Sequence, residues 1–478
     1  MKGWLVQAMK KILGRLRRHR TALMMGFFRV MVYGCLALLF FGLMAVNNWQ
    51  LGHPSRTLGT TLVTYVAMSM AMHAVYGGYA VGKKKSKPVI SSMSLAILAT
   101  DLVTYLQLQI MNVNENKNSR LILFGEDFPW LLLCMAAQVL LIVFWVRLGN
   151  GVYFTINPPK RCLLILGERA QEKRLRRKIG RYALQWQVTD TAMCDAPDIE
   201  ERIAACEVVF MASMPEDAKM RLLRACYNHR RDVISQAALQ DIMLSNARQI
   251  VVDDAPFLEM EYGKITLGQR ILKRLMDIAI SLVVLVGFSP LLLLIAIAIR
   301  LEDGGPVIFR QLRMSVNGRT FSICKFRTMS VIDSMKAHQV SVTQNDQRIT
   351  KVGRFLRRFR LDELPQFWNI LKGEMTVVGP RPEMLENVEK YKAQLPDFVY
   401  REKMKAGLTG YAQIEGRYNT TPEDKLMLDL MYIESFSLWL DVKLIFRTLT
   451  VFFKNDSTEG FEAEADKAEE KKSDGISA

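Results

Sequence analysis

Four apolar stretches fill the first third of the chain, residues 22–46, 58–80, 89–111 and 129–146, each close to the ~20 residues that a membrane-spanning helix needs. Basic residues mark one side of them. KKILGRLRRHR precedes the first stretch and GKKKSKP separates the second from the third, whereas the loops after the first and third carry only Arg56 and then Lys117 with Arg120. The positive-inside rule therefore predicts a cytoplasmic amino terminus, a cytoplasmic middle loop, and a cytoplasmic location for everything after Arg147. The first stretch is not expected to be a signal peptide. It is too long for one, and Ala45 and Val46 run into bulky NNWQ rather than a small-residue cleavage site. Asp101 and His73 lie inside apolar runs, where ionisable groups can mark function. Contact with neighbouring helices or a membrane edge explains them as well, and no role is assigned to either.

From Lys160 the pattern changes to short apolar runs separated by charged helical stretches: CLLILG (162–167), EVVFMA (207–212) and RQIVVDD (248–254). That alternation predicts a small Rossmann-like α/β unit with a parallel sheet. The turn after CLLILG reads GERAQEKRL, so the glycines that let a backbone approach a pyrophosphate are missing. A structural or regulatory module is expected rather than a dinucleotide site, with weak nucleotide binding at the end of the first strand as the alternative.

A fifth apolar run, 275–300, is long enough to cross a bilayer, but Arg270, Lys273 and Arg274 precede it and Arg300, Arg310, Arg313 and Arg319 follow. Both ends thus carry the cytoplasmic charge signature. Pro290 removes a backbone donor and clashes with the carbonyl of Val286, while Ser289 can satisfy freed backbone. The predicted element is a re-entrant helix hairpin broken at Ser289 and Pro290, entering one leaflet and returning.

Beyond it, two β-type runs flank Asn317-Gly318, a hairpin turn signal, with Lys325 and Arg327 at the far end. Then comes RRFRLDELPQFWNILKG (357–373). Leu361, Leu364, Phe367, Trp368 and Leu371 are spaced to make one apolar helix stripe, with Asp362 roughly opposite and Glu363 to the side. Pro365 suits a first helical turn. Acidic residues at a helix start ordinarily cap it. Here four arginines precede them, Arg354, Arg357, Arg358 and Arg360, and are expected to keep Asp362 ionised. VVGPRPE holds Arg381 between two prolines on a stiff extended backbone, suited to bidentate phosphate contact. AGLTGYAQIEGR adds a glycine-rich turn (Gly407, Gly410) and Arg417, and the next segment adds Asp429, Tyr432 and Asp441.

Composition fits this division. Half of the 478 residues are apolar and the formal charge is +17, a balance pointing to phosphate-bearing ligands, nucleic acid or an anionic membrane face. Much of the charge is juxtamembrane and the rest flanks the carboxylates, which argues against nucleic acid. Seven cysteines without C-x-x-C and five histidines without H-x-x-x-H leave no readable zinc site or disulfide framework, as expected in a reducing compartment. The acidic, polar end from Asn455 is expected to be a disordered tail.

The ordered motifs KFRTM, LDELPQFWNILKG, VVGPRP, GLTGYAQIEGR and Y-x-x-x-x-S-x-x-L-D-V-K-L-I resemble the bacterial polyprenyl-phosphate glycosyl-1-phosphate transferases, the monotopic phosphoglycosyl transferases, over about 266–454. The four helices and α/β module look like the long form of that family. The resemblance implies a membrane protein of mixed α and α/β class: a four-helix transmembrane region (1–150), a Rossmann-like module (160–255), an α+β catalytic domain with a re-entrant hairpin and amphipathic surface helices (266–454), and the tail (455–478). It implies transfer of a sugar-1-phosphate from a nucleotide diphosphate sugar, UDP-linked, to polyprenyl phosphate, initiating exopolysaccharide, capsule or O-antigen-type glycans. Asp362 matches the family nucleophile and Glu363 the residue that assists a Mg2+ site. Lys325, Arg357, Arg381 and Arg417 match phosphate- or substrate-binding positions, and Ser289 and Pro290 match the break of the re-entrant helix. A homo-oligomer stays open. The other classes weighed are a membrane-anchored nucleotide-sugar dehydratase, for which only Tyr79 with Lys83 offers the spacing, and a basic membrane scaffold.

Overall fold

The computed structural model describes residues 2–82, 84–115, 121–260, 265–330, 348–416 and 420–451. Lys83, Lys117, Arg120, Arg417 and the 455–478 tail lie outside the described residues. The chain divides into two compact units, Met1–Gln236 and Ala237–Ala478.

The first unit opens with α1 (Lys2–Met44), α2 (Arg56–Tyr76), α3 (Ser86–Glu115) and α4 (Asp127–Ile156), four helices long and apolar enough to cross a membrane. Ser55 caps α2 by accepting from the Leu58 N–H, and Gly77 ends it in the left-handed conformation that glycine adopts without strain. Leu36, Phe40, Ile142 and Val146 are buried between helices, whereas Leu38 and Leu140 point outward. Some of the polar groups inside link the helices: Gln138 of α4 donates to the Leu36 carbonyl of α1, and Asn112 of α3 donates to Asn48.

The same unit continues with β1 (Lys160–Leu166), α5 (Glu172–Gly180), β2 (Trp186–Met193), α6 (Ile199–Ala205), β3 (Val208–Ala212), α7 (Glu216–Asn228) and β4 (Asp232–Ser235). The strands form a parallel sheet in the order β2-β1-β3-β4. The continuous run CLLIL is buried on both faces, as a central parallel strand must be.

RQIVVDD is not in that sheet, contrary to expectation. It belongs to the second unit, where β5 (Arg248–Val252) pairs antiparallel with β6 (Ala255–Glu259). The cause is local: Asp253 takes a positive φ of 58°, and a two-residue turn sends the chain straight back. The strands missed by the reading, β2 and β4, are less apolar than β1 and β3.

The second unit also holds α8 (Leu239–Met243), α9 (Leu267–Gly287) and α10 (Ser289–Asp303). A capping box of Thr266 and Gln269 starts α9. The α9 and α10 axes bend by 62° at Phe288, where the Ser289 hydroxyl donates to the Val286 carbonyl at 2.7 Å and Pro290 occupies the first turn of α10. Next come β7 (Ile308–Met314) and β8 (Thr320–Phe326), antiparallel about Asn317 (φ 53°) and Gly318 (φ 71°). The rest comprises α11 (Lys351–Arg358), α12 (Gln366–Lys372), β9 (Thr376–Val378), α13 (Leu385–Gln394), β10 (Gly407–Thr409), α14 (Tyr411–Glu415), α15 (Pro422–Glu434) and α16 (Leu438–Val451), with β9 parallel to β10. Phe321, Ile323, Ile370, Val378, Tyr432 and Leu444 form its core.

Buried polar struts lock α9 to this core. Lys273 Nζ donates to the Val378 carbonyl (2.9 Å) and to Asp441 Oδ2 (2.5 Å), while the Tyr432 hydroxyl donates to Asp441 Oδ1 (2.7 Å). Asp277 accepts from the Thr376 hydroxyl and the Val377 N–H, tying α9 to β9. Tyr432 and Asp441, singled out in the sequence, are therefore structural.

Candidate active site

The segment carrying the two carboxylates is built from its entrance. Thr350 caps α11, and the Glu302 carboxylate accepts from the Lys351 N–H (2.7 Å). Gly353 lets α11 lie against the end of β8, because a Cβ there would come within 2.2 Å of the Thr328 carbonyl oxygen. Arg357 can then donate through Nε to the Thr328 hydroxyl at 2.8 Å. The helix stops at Arg358, Arg360 adopts a left-handed conformation (φ 52°), and the chain enters a 3-10 turn, Leu361–Glu363. A non-glycine residue held there costs about 1–3 kcal/mol, a strain that clusters at functional sites.

The single helix expected over this segment is thus divided. Pro365 has no N–H to donate backward, so α12 starts only at Gln366. The apolar stripe divides with it: Leu361 and Leu364 pack with Ile295, Ile299 and Leu356, Phe367 joins the main core, and Trp368 stays half exposed. Neither carboxylate caps a helix.

Glu363 is only 16% exposed, and its Oε1 takes Lys325 Nζ at 2.9 Å and Arg381 Nη2 at 3.6 Å. Burial alone would raise its pKa, but Lys325 above all, with Arg381 and Arg360, holds it down at about 2. Its neighbour goes the other way. Burial pushes Asp362 above the ordinary aspartate range and the adjacent Glu363 charge adds to the rise, against the pull of Lys325 and Arg357. The expectation that four arginines hold Asp362 low is corrected accordingly: Arg354 and Arg358 lie on the exposed side of α11, too well solvated to offset the burial.

Lys325, Arg357 and Arg381 converge on the pair as the sequence suggested. Arg381 is held open to solvent by Pro380 and Pro382, and its carbonyl accepts from Arg401 Nη2 at 2.8 Å. Gly379, Gly407 and Gly410 bring this segment against β10, since a Cβ on Gly407 would meet the Gly379 nitrogen at 2.1 Å. The glycine-rich turn therefore serves packing. Arg327 does not join the carboxylates; its guanidinium pairs with Asp303 at the end of α10 and donates to the Pro306 carbonyl. Ser289 and Pro290 form the helix bend and are not part of this cluster. Asp429 is buried against Arg401. Sequence reading gave Arg313 no part in the site and counted Arg360 only among the four arginines before the pair. Arg313 donates to the Pro382 carbonyl (3.3 Å), and both it and Arg360 act electrostatically on the Glu363 charge. No sequence pattern marked Arg313, since the inward positions of β7 are Phe309, Gln311 and Arg313 and the outward ones Ile308, Arg310 and Leu312, so neither face is consistently apolar. Among the described residues no group of three or more His, Cys, Asp or Glu side chains is arranged to hold a metal.

Residues 268–455 match the bacterial sugar transferase family. The chain is 39% identical over 190 residues to the UDP-glucose:undecaprenyl-phosphate glucose-1-phosphate transferase of Caulobacter vibrioides, covering 39% of this chain and 71% of that protein. This chain belongs to the bacterial sugar transferase family. Within it, the segment is also 44% identical over 192 residues to the protein of the same description from Klebsiella pneumoniae (39% of this chain, 41% of that one). It is 41% identical over 182 residues to the UDP-N-acetylgalactosamine-undecaprenyl-phosphate N-acetylgalactosaminephosphotransferase of Aeromonas hydrophila (37% and 43%). The match thus spans about two fifths of the length of several curated sugar transferases, and residues 268–455 contain Asp362, Glu363 and all five cations around them.

Proposed function

We propose that this sugar transferase moves a sugar-1-phosphate from a UDP-linked sugar to undecaprenyl phosphate, releasing uridine monophosphate and starting an exopolysaccharide, capsule or O-antigen-type glycan. The observation that carries the reading is a pair of carboxylates set among five cations, Lys325, Arg313, Arg357, Arg360 and Arg381. Five cations outnumber these two carboxylates, even with Glu383 and Glu386 also acting on Arg313. The excess suits a diphosphate donor and a phosphate acceptor, whose mutual repulsion a site must first suppress.

Asp362 is the nucleophile in this reading. A carboxylate oxygen attacks the phosphorus nearest the sugar, the bond to the uridine monophosphate oxygen breaks, and an aspartyl-phosphosugar remains. The lipid phosphate then attacks the same phosphorus, and the carboxylate leaves. Burial strips water from Asp362, so its ionised form is reactive, and that form grows as pH rises through its raised pKa. Glu363 stays anionic throughout. Both of its cation contacts fall on Oε1, and its other oxygen fits magnesium, which usually takes one or two carboxylates together with substrate phosphates. When bound, magnesium would neutralise charge on the donor diphosphate. Arg381, half exposed and held by flanking prolines, orients a donor phosphate through its planar fork.

A lipid acceptor and a soluble donor meet only at a membrane surface. The bend between α9 and α10, with exposed apolar residues around Phe288 and basic residues at both ends, supports a re-entrant hairpin with the catalytic unit on the cytoplasmic face. The test is a panel of nucleotide sugars with undecaprenyl phosphate, read by nucleoside monophosphate release. One UDP-sugar should give lipid-dependent release that Asp362→Asn abolishes; full activity in that variant would remove the nucleophile.

A further inference from the structure

The helix α5 and its flanks carry a charge pattern that the transfer reaction does not use. Between Glu168 and Arg181 stand Arg169, Lys173, Arg174, Arg176, Arg177, Lys178 and Arg181, against the carboxylates of Glu168 and Glu172 only. Every one of these cations is exposed. A solvated basic face is the ordinary explanation of such a run, and two further observations distinguish this one.

The first is direction. Because β1 and β2 are parallel, α5 must run back from the carboxyl end of the sheet to its amino end. The turn after α5 closes beside Lys160, whose N–H donates to the Gln185 carbonyl at 3.0 Å. Lys160 follows the end of α4 at Ile156 by four residues, so the amino edge of the sheet adjoins the end of a candidate membrane span. The second is contact. Lys85, in the loop just before α3, places its Nζ 5.7 Å above the ring of Tyr182 in that same turn. Tyr182 and Leu184 remain exposed, 44% and 53%. Basic side chains beside an exposed Tyr and Leu, next to the ends of apolar helices, have the composition of a membrane-interface anchor.

We propose that the end of α5 and its following turn, Arg177, Lys178, Arg181, Tyr182 and Leu184, dock on anionic phospholipid headgroups of the leaflet at the α3 start and α4 end. The module is then fastened to the membrane by lipid charge as well as by the chain. The start of α5 stands further off: Lys173 lies five residues before Lys178, about 7.5 Å along the helix. Lipid charge is largely screened within about 8 Å at physiological salt, so the two ends of α5 should respond unequally.

The full chain in nanodiscs tests this by hydrogen exchange of the 177–184 amides, in phosphatidylcholine alone or mixed with phosphatidylglycerol. Exchange should slow in the phosphatidylglycerol discs and recover in high salt. Each cation removed in the Arg177→Gln, Lys178→Gln and Arg181→Gln series should cut that protection by about fivefold, the equivalent of about 1 kcal/mol. Lys173→Gln with Arg174→Gln should cost clearly less. Equal exchange in both lipids overturns the proposal, as does equal loss from the two ends of the helix. Protection by inorganic phosphate in phosphatidylcholine discs would also overturn it, by making the patch a site for a soluble anion.

Discussion

In one charge cluster of the second unit, Arg401 and Lys425 face Glu383 and Asp429, with Arg401 and Asp429 both almost wholly buried. In the other, Lys325, Arg313, Arg357, Arg360 and Arg381 gather around Asp362 and Glu363, and Glu383 and Glu386 act on Arg313 as well. Both use arginine and carboxylate, and they share a border, since Arg401 donates to the carbonyl of Arg381. The difference is stoichiometric. The first is balanced within the protein and acts as a strut; in the second the cations outnumber the two carboxylates set among them. Buried charge alone therefore does not identify a reactive site, whereas an excess of cations beside a carboxylate of raised pKa marks a candidate one.

Breaking the balanced cluster should have the largest effect on stability. Asp429→Ala leaves Arg401 buried without its main partner and should cost about 3–5 kcal/mol, read as a lower unfolding midpoint in detergent. The paired replacement Arg401→Met with Asp429→Leu should recover most of that loss; if it does not, the cluster is more than a strut.

Next is Glu363. Its carboxyl falls from the ordinary 4.5 to about 2 on folding, so it stabilises the protein above pH 4.5 and loses that contribution as pH drops towards 2. Glu363→Gln should cost about 3 kcal/mol at neutral pH and flatten the acid limb of the stability curve. An unchanged acid limb would show that the surrounding cations do not depend on this charge. The smallest effect is expected at Arg381, which is half exposed: Arg381→Lys should leave the unfolding midpoint in place and lower kcat/KM by about tenfold, because the point charge remains and the planar fork is lost.

Particular residues explain how far the sequence could be read. The four long apolar helices and the hairpin at Asn317-Gly318 were legible because length, apolar content and turn chemistry act locally. Lys325 and Arg381 were assigned by resemblance, and the fold brings both to Glu363. RQIVVDD misled because its apolar run suits either a buried parallel strand or an exposed hairpin, and the positive φ at Asp253 that decides between them has no signature as strong as Asn-Gly. The carboxylate pair misled because helical spacing continues through Pro365 on paper while the backbone cannot follow it. The opposite pKa shifts of Asp362 and Glu363 were beyond reach, since adjacent residues of one charge type differ only in which neighbours the fold supplies.

The central claim is that Asp362 takes the sugar-phosphate onto itself. Its most direct test is mass spectrometry of the full-length protein incubated with the UDP-sugar that supports turnover, with no lipid acceptor present. A phosphosugar adduct on the peptide containing Asp362, formed with release of uridine monophosphate and discharged by undecaprenyl phosphate, is the expected result. Uridine monophosphate release that requires the lipid and leaves Asp362 unmodified would contradict the account.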